Sequence, residues 1–192
     1  MNFKKLVAKN RSYRRFYNNH KISKNTLLEL IDLARLTPSA KNLQPLKYFI
    51  SCEKELNEKI FETLAWAGYL KAGGIEIEPT ERPSAYIVIL GDKRITDNFM
   101  VDAGIAAQTI LLGAVSMGLG GCIVATIKRE RLKELIPENE NYDILLVIAL
   151  GKPKEKVVIE SIKDNDVKYW REGFTHYVPK RSLKEIVLNF NP

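Results

Sequence analysis

Along this chain the apolar positions change their period several times, and each change marks an element. From Asn25 to Leu36, "NTLLELIDLARL" places Leu27, Leu28, Ile31, Ala34 and Leu36 at a spacing of three to four, which predicts an amphipathic helix with Ser23 or Asn25 as N-cap. It is expected to stop at "TPSAKNLQP", where two prolines forbid continuation. "LKYFISC", Leu46 to Cys52, has the aromatic and β-branched content of a short strand, and "KELNEKIFETLAWA" follows as a second helix. The stretch from Gly68 to Pro83, with paired glycines, charges and prolines, predicts the longest loop.

"SAYIVILG" and "YDILLVIALG" are almost unbroken apolar runs, the pattern of strands covered on both faces. Between them, Thr96 to Met117 is apolar nearly all round, interrupted mainly by Asp102, Gln108 and Thr109, and so predicts a central helix. Its Gly104, Ala106, Ala107, Gly113 and Ala114 leave room for another helix or subunit. "GLGGCIV" predicts a turn and strand, "KRERLKELI" a surface helix, "KPKEK" a charged turn, and Ser182 the cap of a last short helix. About four strands and five or six helices result, without the strict alternation of a doubly wound sheet. The expectation is one α+β domain over residues 1–192, layered helix, sheet, helix.

Composition narrows the class. With 192 residues, 45% hydrophobic and 28% charged, the chain has the make-up of one folded domain. No apolar run approaches the roughly 20 residues of a membrane span, and the first residues lack a secretory pattern, so a cytoplasmic location is expected. Cys52 and Cys122 are too few and too far apart for a disulfide framework or zinc spacing, and are expected as buried thiols. His20 and His176 have no clustered partner, so no metal site is expected.

The net charge of +7 is unevenly spread: Met1 to Lys47 holds eleven Lys or Arg against two acids, +9, and the remainder nineteen against twenty-one, −2. The basicity is concentrated in "RSYRRFYNNH", Arg11 to His20. A nucleic-acid patch, a solvated helix end and a pocket for one phosphate all fit that stretch.

Several chemistries are missing. There is no G-x-x-x-x-G-K-S/T phosphate loop, no G-x-G-x-x-G after a strand, no G-x-S-x-G elbow and no H-E-x-x-H. No protein side chain stands out as nucleophile or metal centre. What remains is an ordered set: "RSYRRF", then "PSAKNLQP", then a helix carrying Asp102, Gly104 and Gln108, then "GLGGCIVATI". In that order these segments resemble the nitroreductase-like flavoprotein family, over about Arg11 to Arg181.

The resemblance implies an intertwined homodimer with a three-layer α+β fold, a mixed or antiparallel central sheet, and FMN held non-covalently between subunits. By the same correspondence Arg11, Ser12 and one of Arg14 or Arg15 bind the flavin phosphate, joined by Lys180 and Arg181 from the other end of the chain. Guanidinium forks suit such a dianion. Pro38, Ser39, Ala40, Asn42 and Gln44 correspond to the loop against the ring and ribityl chain, and Ile123, Val124, Ala125 and Thr126 to the segment whose amides face N5. Ile123 and Ala125 depart from the aromatic and glycine frequent there. Arg14 is the candidate cation for the N1–C2 edge, where positive charge favours hydride acceptance. Trp66, Tyr69, Phe174 and Tyr177 are candidates for the wall of an acceptor pocket.

The implied activity is ping-pong hydride transfer from NAD(P)H through flavin N5 to small oxidised acceptors such as nitroaromatics or quinones, without a catalytic side chain. Two alternatives stay open: a flavin-binding protein without turnover, and a basic nucleic-acid-binding module.

Overall fold

The eight residues of β2 (Ala85–Asp92) are all buried, because this strand lies inside a sheet that carries helices on both faces. The computed structural model describes residues 1–66, 77–137 and 140–189. In it β1 (Leu46–Ser51), β2, β3 (Gly120–Val124) and β4 (Tyr142–Gly151) form one four-stranded sheet of order β1-β2-β4-β3. Every neighbouring pair in it is antiparallel.

Alternation along the strands sorts the core into two layers. Ala85, Ile87 and Ile89 of β2, with Leu146, Ile148 and Leu150 of β4, face α2 (Lys24–Arg35) and α4 (Met100–Ser116). Tyr86, Val88 and Leu90, with Val147 and Ala149, face Ile60 of α3 (Lys54–Glu62) and Leu132 of α5 (Arg129–Lys133). The three-layer α+β expectation holds.

Ser23 caps α2 as expected, its Oγ accepting from Thr26 N at 3.1 Å. The buried stripe is Leu27, Leu30 and Ala34, while Leu28 and Leu36 remain on the surface. The central helix starts later than the expected Thr96. Asp92 accepts from Arg94 N and from Ile95 N, so the chain turns there, and Phe99 then packs its ring over Gly91, where a Cβ would sit 2.6 Å from the ring. α3 ends before the expected Ala67, because Leu64 leaves the helix to bridge Ile127 and Ala65 N donates to Thr126 O at 3.0 Å.

Two features go beyond the expected elements. The first is α1 (Phe3–Lys9), a helix with no buried residue and therefore no apolar stripe to announce it. The second is a sheet of β5 (Lys156–Ser161), β6 (Trp170–Glu172) and β7 (Thr175–Lys180), in the order β5-β7-β6 with β5 and β7 parallel. Among the described residues seven strands thus replace the expected four, because "KPKEK" leads into a strand instead of ending as a turn. α6 (Leu183–Ile186) follows, with Ser182 and Glu185 forming a reciprocal capping box. Most of the expected long loop, residues 67–76 with Tyr69, lies outside the described residues.

Candidate functional site

The aromatic residues of "RSYRRF" are anchors. Tyr13 is 7% exposed and Phe16 fully buried. Each lies on a glycine of the sheet: a Cβ on Gly120 would sit 2.6 Å from the Tyr13 ring, and one on Gly151 2.6 Å from the Phe16 ring. Ser12 bridges Gly121 in parallel, and Tyr13 N donates to Gly121 O at 3.0 Å. Glu155, 6% exposed, clamps the middle of the stretch, accepting from Arg14 N at 2.5 Å and Arg15 N at 3.1 Å. Its other oxygen pairs with the buried Arg171 of β6. Tyr13 and Phe16 are thereby removed from any base-stacking surface.

This anchoring separates the three arginines. Arg15 pairs with the buried carboxylate of Glu81, which also accepts from Lys154 Nζ at 2.7 Å. Burial works against the ionised Glu81, but the hydrogen bonds from Arg15 and Lys154 overcome it and hold its pKa below the ordinary value. Arg15 is a structural ion-pair partner, so of the two candidates Arg14 is the one left facing the site. Its guanidinium lies 4.8 Å from the centre of the Tyr169 ring, and its Nη1 donates to Ser12 O at 3.3 Å. Arg11 donates from Nη2 to Val7 O at 3.0 Å, and its buried Nε has no partner among the described residues.

Arg11, Ser12 and Arg14 open onto a cavity of about 370 Å³. Gln108 of α4, Ile123 of β3 and Lys180 of β7 reach it from three other elements. This volume is within the roughly 300–1,000 Å³ of small-molecule sites. Next to it a smaller cavity of about 140 Å³ shares Arg14, Ile123 and Tyr169 and adds Trp66, Val124, Ala125 and Thr126 among others. Trp66 is tied to the arginine stretch by its Nε1–H, which donates to Arg14 O at 3.3 Å.

Arg181 does not join Lys180 at the cavity. Its Nη1 donates to Asn165 Oδ1 at 3.0 Å and Glu185 Oε1 at 3.2 Å, which ties it to α6. Lys180 is the last residue of β7 and Arg181 lies just past it, turned to α6, so the basic pair is split. Phe174 lies outside the cavity, exposed beneath the cations of Arg15 and Lys154, and Tyr177 stacks on Trp170 at 5.1 Å.

The "PSAKNLQP" segment is held from the central helix. Ser39 Oγ donates to Asp102 Oδ2, Ala40 N donates to Oδ1 of the same carboxylate at 3.1 Å, and Gln44 N donates to Ser39 Oγ at 2.9 Å. Asp102 is only 4% exposed, so its charge is committed to this loop. The loop turns through Lys41, Asn42 and Gln44 at φ 52°, 56° and 51°. Three non-glycine residues in the left-handed region within four positions is strain of the kind held at ligand sites. Pro38, Ser39 and Gln44 line a cavity of about 170 Å³ with Asp102, and Ala40 and Asn42 form the short helical turn beside it. Within one chain that cavity shares no residue with the arginine-lined one.

A larger cavity of about 680 Å³, bordered by Lys24, Cys52, Asn57 and Arg82, contains none of the site residues expected from the sequence. Cys122 is buried, which pushes its thiol pKa up to about 12, whereas Cys52 is only half-buried. Among the described residues no group of His, Cys, Asp and Glu is placed to hold a metal ion, and no helix is long and apolar enough to cross a membrane.

Sequence reasoning set His176 aside, yet it lines the arginine cavity at 1% exposure. A signal was available: His176, Val178 and Lys180 alternate along β7, so a strand that presents Lys180 to the cavity presents His176 too.

Fold and cavity define an α+β sheet protein with a cation-lined cavity where the Arg11 to Arg14 stretch meets Lys180 of β7. The sequence model of the nitroreductase family matches residues 7–152, and the chain belongs to that family. Among curated relatives, a protein of Archaeoglobus fulgidus with the provisional name NADH dehydrogenase/NAD(P)H nitroreductase is 28% identical over 160 residues, covering 79% of this chain and 86% of that protein. An oxygen-insensitive NADPH nitroreductase of Helicobacter pylori J99 is 25% identical, covering 78% of this chain and 86% of the relative. The solved structure of an FMN-dependent nitroreductase from Clostridium difficile R20291 shares the fold with a TM-score of 0.62 at 24% identity, over 79% of this chain and 87% of that one.

The residues present fit a flavin phosphate. Arg11, Arg14, Lys180 and the Ser12 hydroxyl are the donor set that a compact dianion takes, and the partnerless Arg11 Nε is a buried donor that lacks an acceptor.

Proposed function

We propose that this protein is an FMN-dependent NAD(P)H oxidoreductase that works as a homodimer on small oxidised acceptors such as nitroaromatics or quinones. The observation that carries the reading is the meeting of Arg11, Ser12 and Arg14 with Lys180 at one cavity, from opposite ends of the sequence. When bound, FMN supplies hydride transfer between the nicotinamide and the acceptor.

The protein's own part is binding and electrostatics. Arg11, Ser12 and Lys180 hold the phosphate. Arg14 borders both neighbouring cavities, so its charge reaches from the phosphate end toward the Ile123 to Thr126 segment, where it favours a more negative reduced cofactor. Trp66 walls the smaller cavity on the side where an acceptor would enter.

The dimer is supported by what one chain leaves undone. The Pro38 to Gln44 loop lies apart from the arginine cavity, and Leu28, Leu36, Leu43, Met100 and Val101 expose apolar side chains on α2, its following loop and α4. A second copy covering that surface brings its own loop to the first copy's cavity.

The test is direct. Purified protein is expected to be yellow, to release FMN on denaturation, and to bleach under anaerobic NADH or NADPH. Protein that takes up no FMN when reconstituted refutes the reading, and protein that binds FMN but is not reduced leaves a flavin carrier. Arg14→Ala is expected to slow reduction and to weaken FMN binding by about tenfold or more, given roughly 1.5–3 kcal/mol for a charged hydrogen bond.

A further inference from the structure

Two residues of the arginine cavity carry buried nitrogens with no hydrogen-bond partner among the described residues: Arg11, through Nε, and His176, through both Nδ1 and Nε2. Leaving a buried polar atom unsatisfied is destabilising, so an imidazole with neither nitrogen paired is open to a further partner. Arg11 lacks an acceptor at Nε alone, and both residues line one cavity.

The position of His176 is set firmly. It lies on β7 opposite Arg171 of β6 and Val157 of β5, so it occupies the middle strand of its sheet. The Tyr169 ring packs against it at 5.0 Å and 60°. Its ring shares the cavity-facing side of β7 with Val178 and Lys180. Burial first, and then the charges of Arg14 and Arg171, lower its pKa to about 4, so the ring is neutral at physiological pH. A neutral imidazole keeps one N–H and one lone pair. With Arg11, Arg14 and Lys180 already supplying positive charge, a neutral donor adds direction to the site without adding repulsion.

We propose that His176 is a ligand-binding residue whose ring N–H donates to the phosphate of the bound flavin, beside Arg11, Ser12, Arg14 and Lys180, and that this contact sharpens selection of FMN over riboflavin. The proposal rests on the flavin reading above. The phosphate end is the right partner because Arg11, Ser12 and Lys180 lie on this cavity and not on the smaller one beside it.

The test measures dissociation constants of FMN and riboflavin for apo-protein, by quenching of flavin fluorescence, in wild type and in His176→Phe, His176→Asn and His176→Gln. The Phe variant is expected to weaken FMN about 10- to 100-fold, the equivalent of roughly 1.5–3 kcal/mol for a charged hydrogen bond, with riboflavin unchanged. One of the two amide variants, whichever places its N–H where the ring N–H stood, is expected to recover most of the loss. The amide variants also keep the test open if the Phe variant fails to fold. FMN affinity equal to wild type across the folded variants, or FMN and riboflavin weakened in parallel, overturns the proposal and leaves His176 a packing residue. Wild-type protein that binds neither flavin removes the functional reading itself, which is a different failure.

Discussion

Glu155 and His176 show how a few buried polar residues organise the ends of this chain. Glu155 accepts two backbone N–H groups of the arginine stretch and pairs with Arg171, whose side chain is 3% exposed. Removing one partner of a buried pair strands the other charge, so Glu155→Gln is expected to lower stability by about 3–5 kcal/mol in denaturant unfolding, and Glu155→Gln with Arg171→Met by less. His176 gives a pH signature. Its folded pKa lies near 4, below its ordinary 6.5, so the unfolded chain binds the proton more readily. The stability of apo-protein from this source is complete above pH 6.5 and is lost as the pH falls toward 4. In His176→Phe, urea midpoints across that window are expected to fall less steeply than in wild type. From the sequence, His176 was a lone histidine, and only the alternation back from Lys180 pointed to it. Arg15 was unreadable for another reason: its partner Glu81 lies in a distant segment, and nothing in "RSYRRF" tells which arginine it takes.

At the scale of elements, β2 and β4 were legible because they lie inside the sheet and read as continuous apolar runs, and α4 because it is apolar nearly all round, its exposed Met100 and Val101 included. β5, β6 and β7 were not. They are short, only partly buried, and joined by a parallel pairing between segments that are not adjacent in sequence. The loop before β1 was legible as a helix stop, but its attachment to Asp102 was not, since that contact spans 62 positions. Asp102→Asn replaces an acceptor-only carboxylate with a group that turns an N–H₂ toward one of its two donors, Ser39 Oγ–H or Ala40 N–H. It is expected to cost about 1–3 kcal/mol and to loosen the loop, seen as faster amide exchange at Ala40 and Gln44. Gly151→Ala drives a methyl into the Phe16 ring and is expected to cost about 1–3 kcal/mol in thermal unfolding, loosening the arginine stretch with it.

For the whole molecule, the sequence pattern led to the layered α+β fold, and the ordered motifs led to the family. The proposed dimer makes a prediction of its own. Val101, 66% exposed on α4, belongs to the apolar surface that a second copy would cover. Val101→Glu is expected to weaken self-association by about tenfold or more, given roughly 1.5–3 kcal/mol for burying such a side chain. Sedimentation would show monomer and flavin release appearing at the same protein concentration. Loss of flavin without dissociation would place the two functions on separate surfaces.

The meeting of Arg11 and Lys180 also orders events in time. During synthesis the arginine stretch is made before either sheet, while Lys180, which completes the cavity, comes with the last strand of the second. A nascent chain therefore carries Arg11 and Arg14 while both sheets are still being made, and gains the full set of donors for an anion only with the last strand of the second.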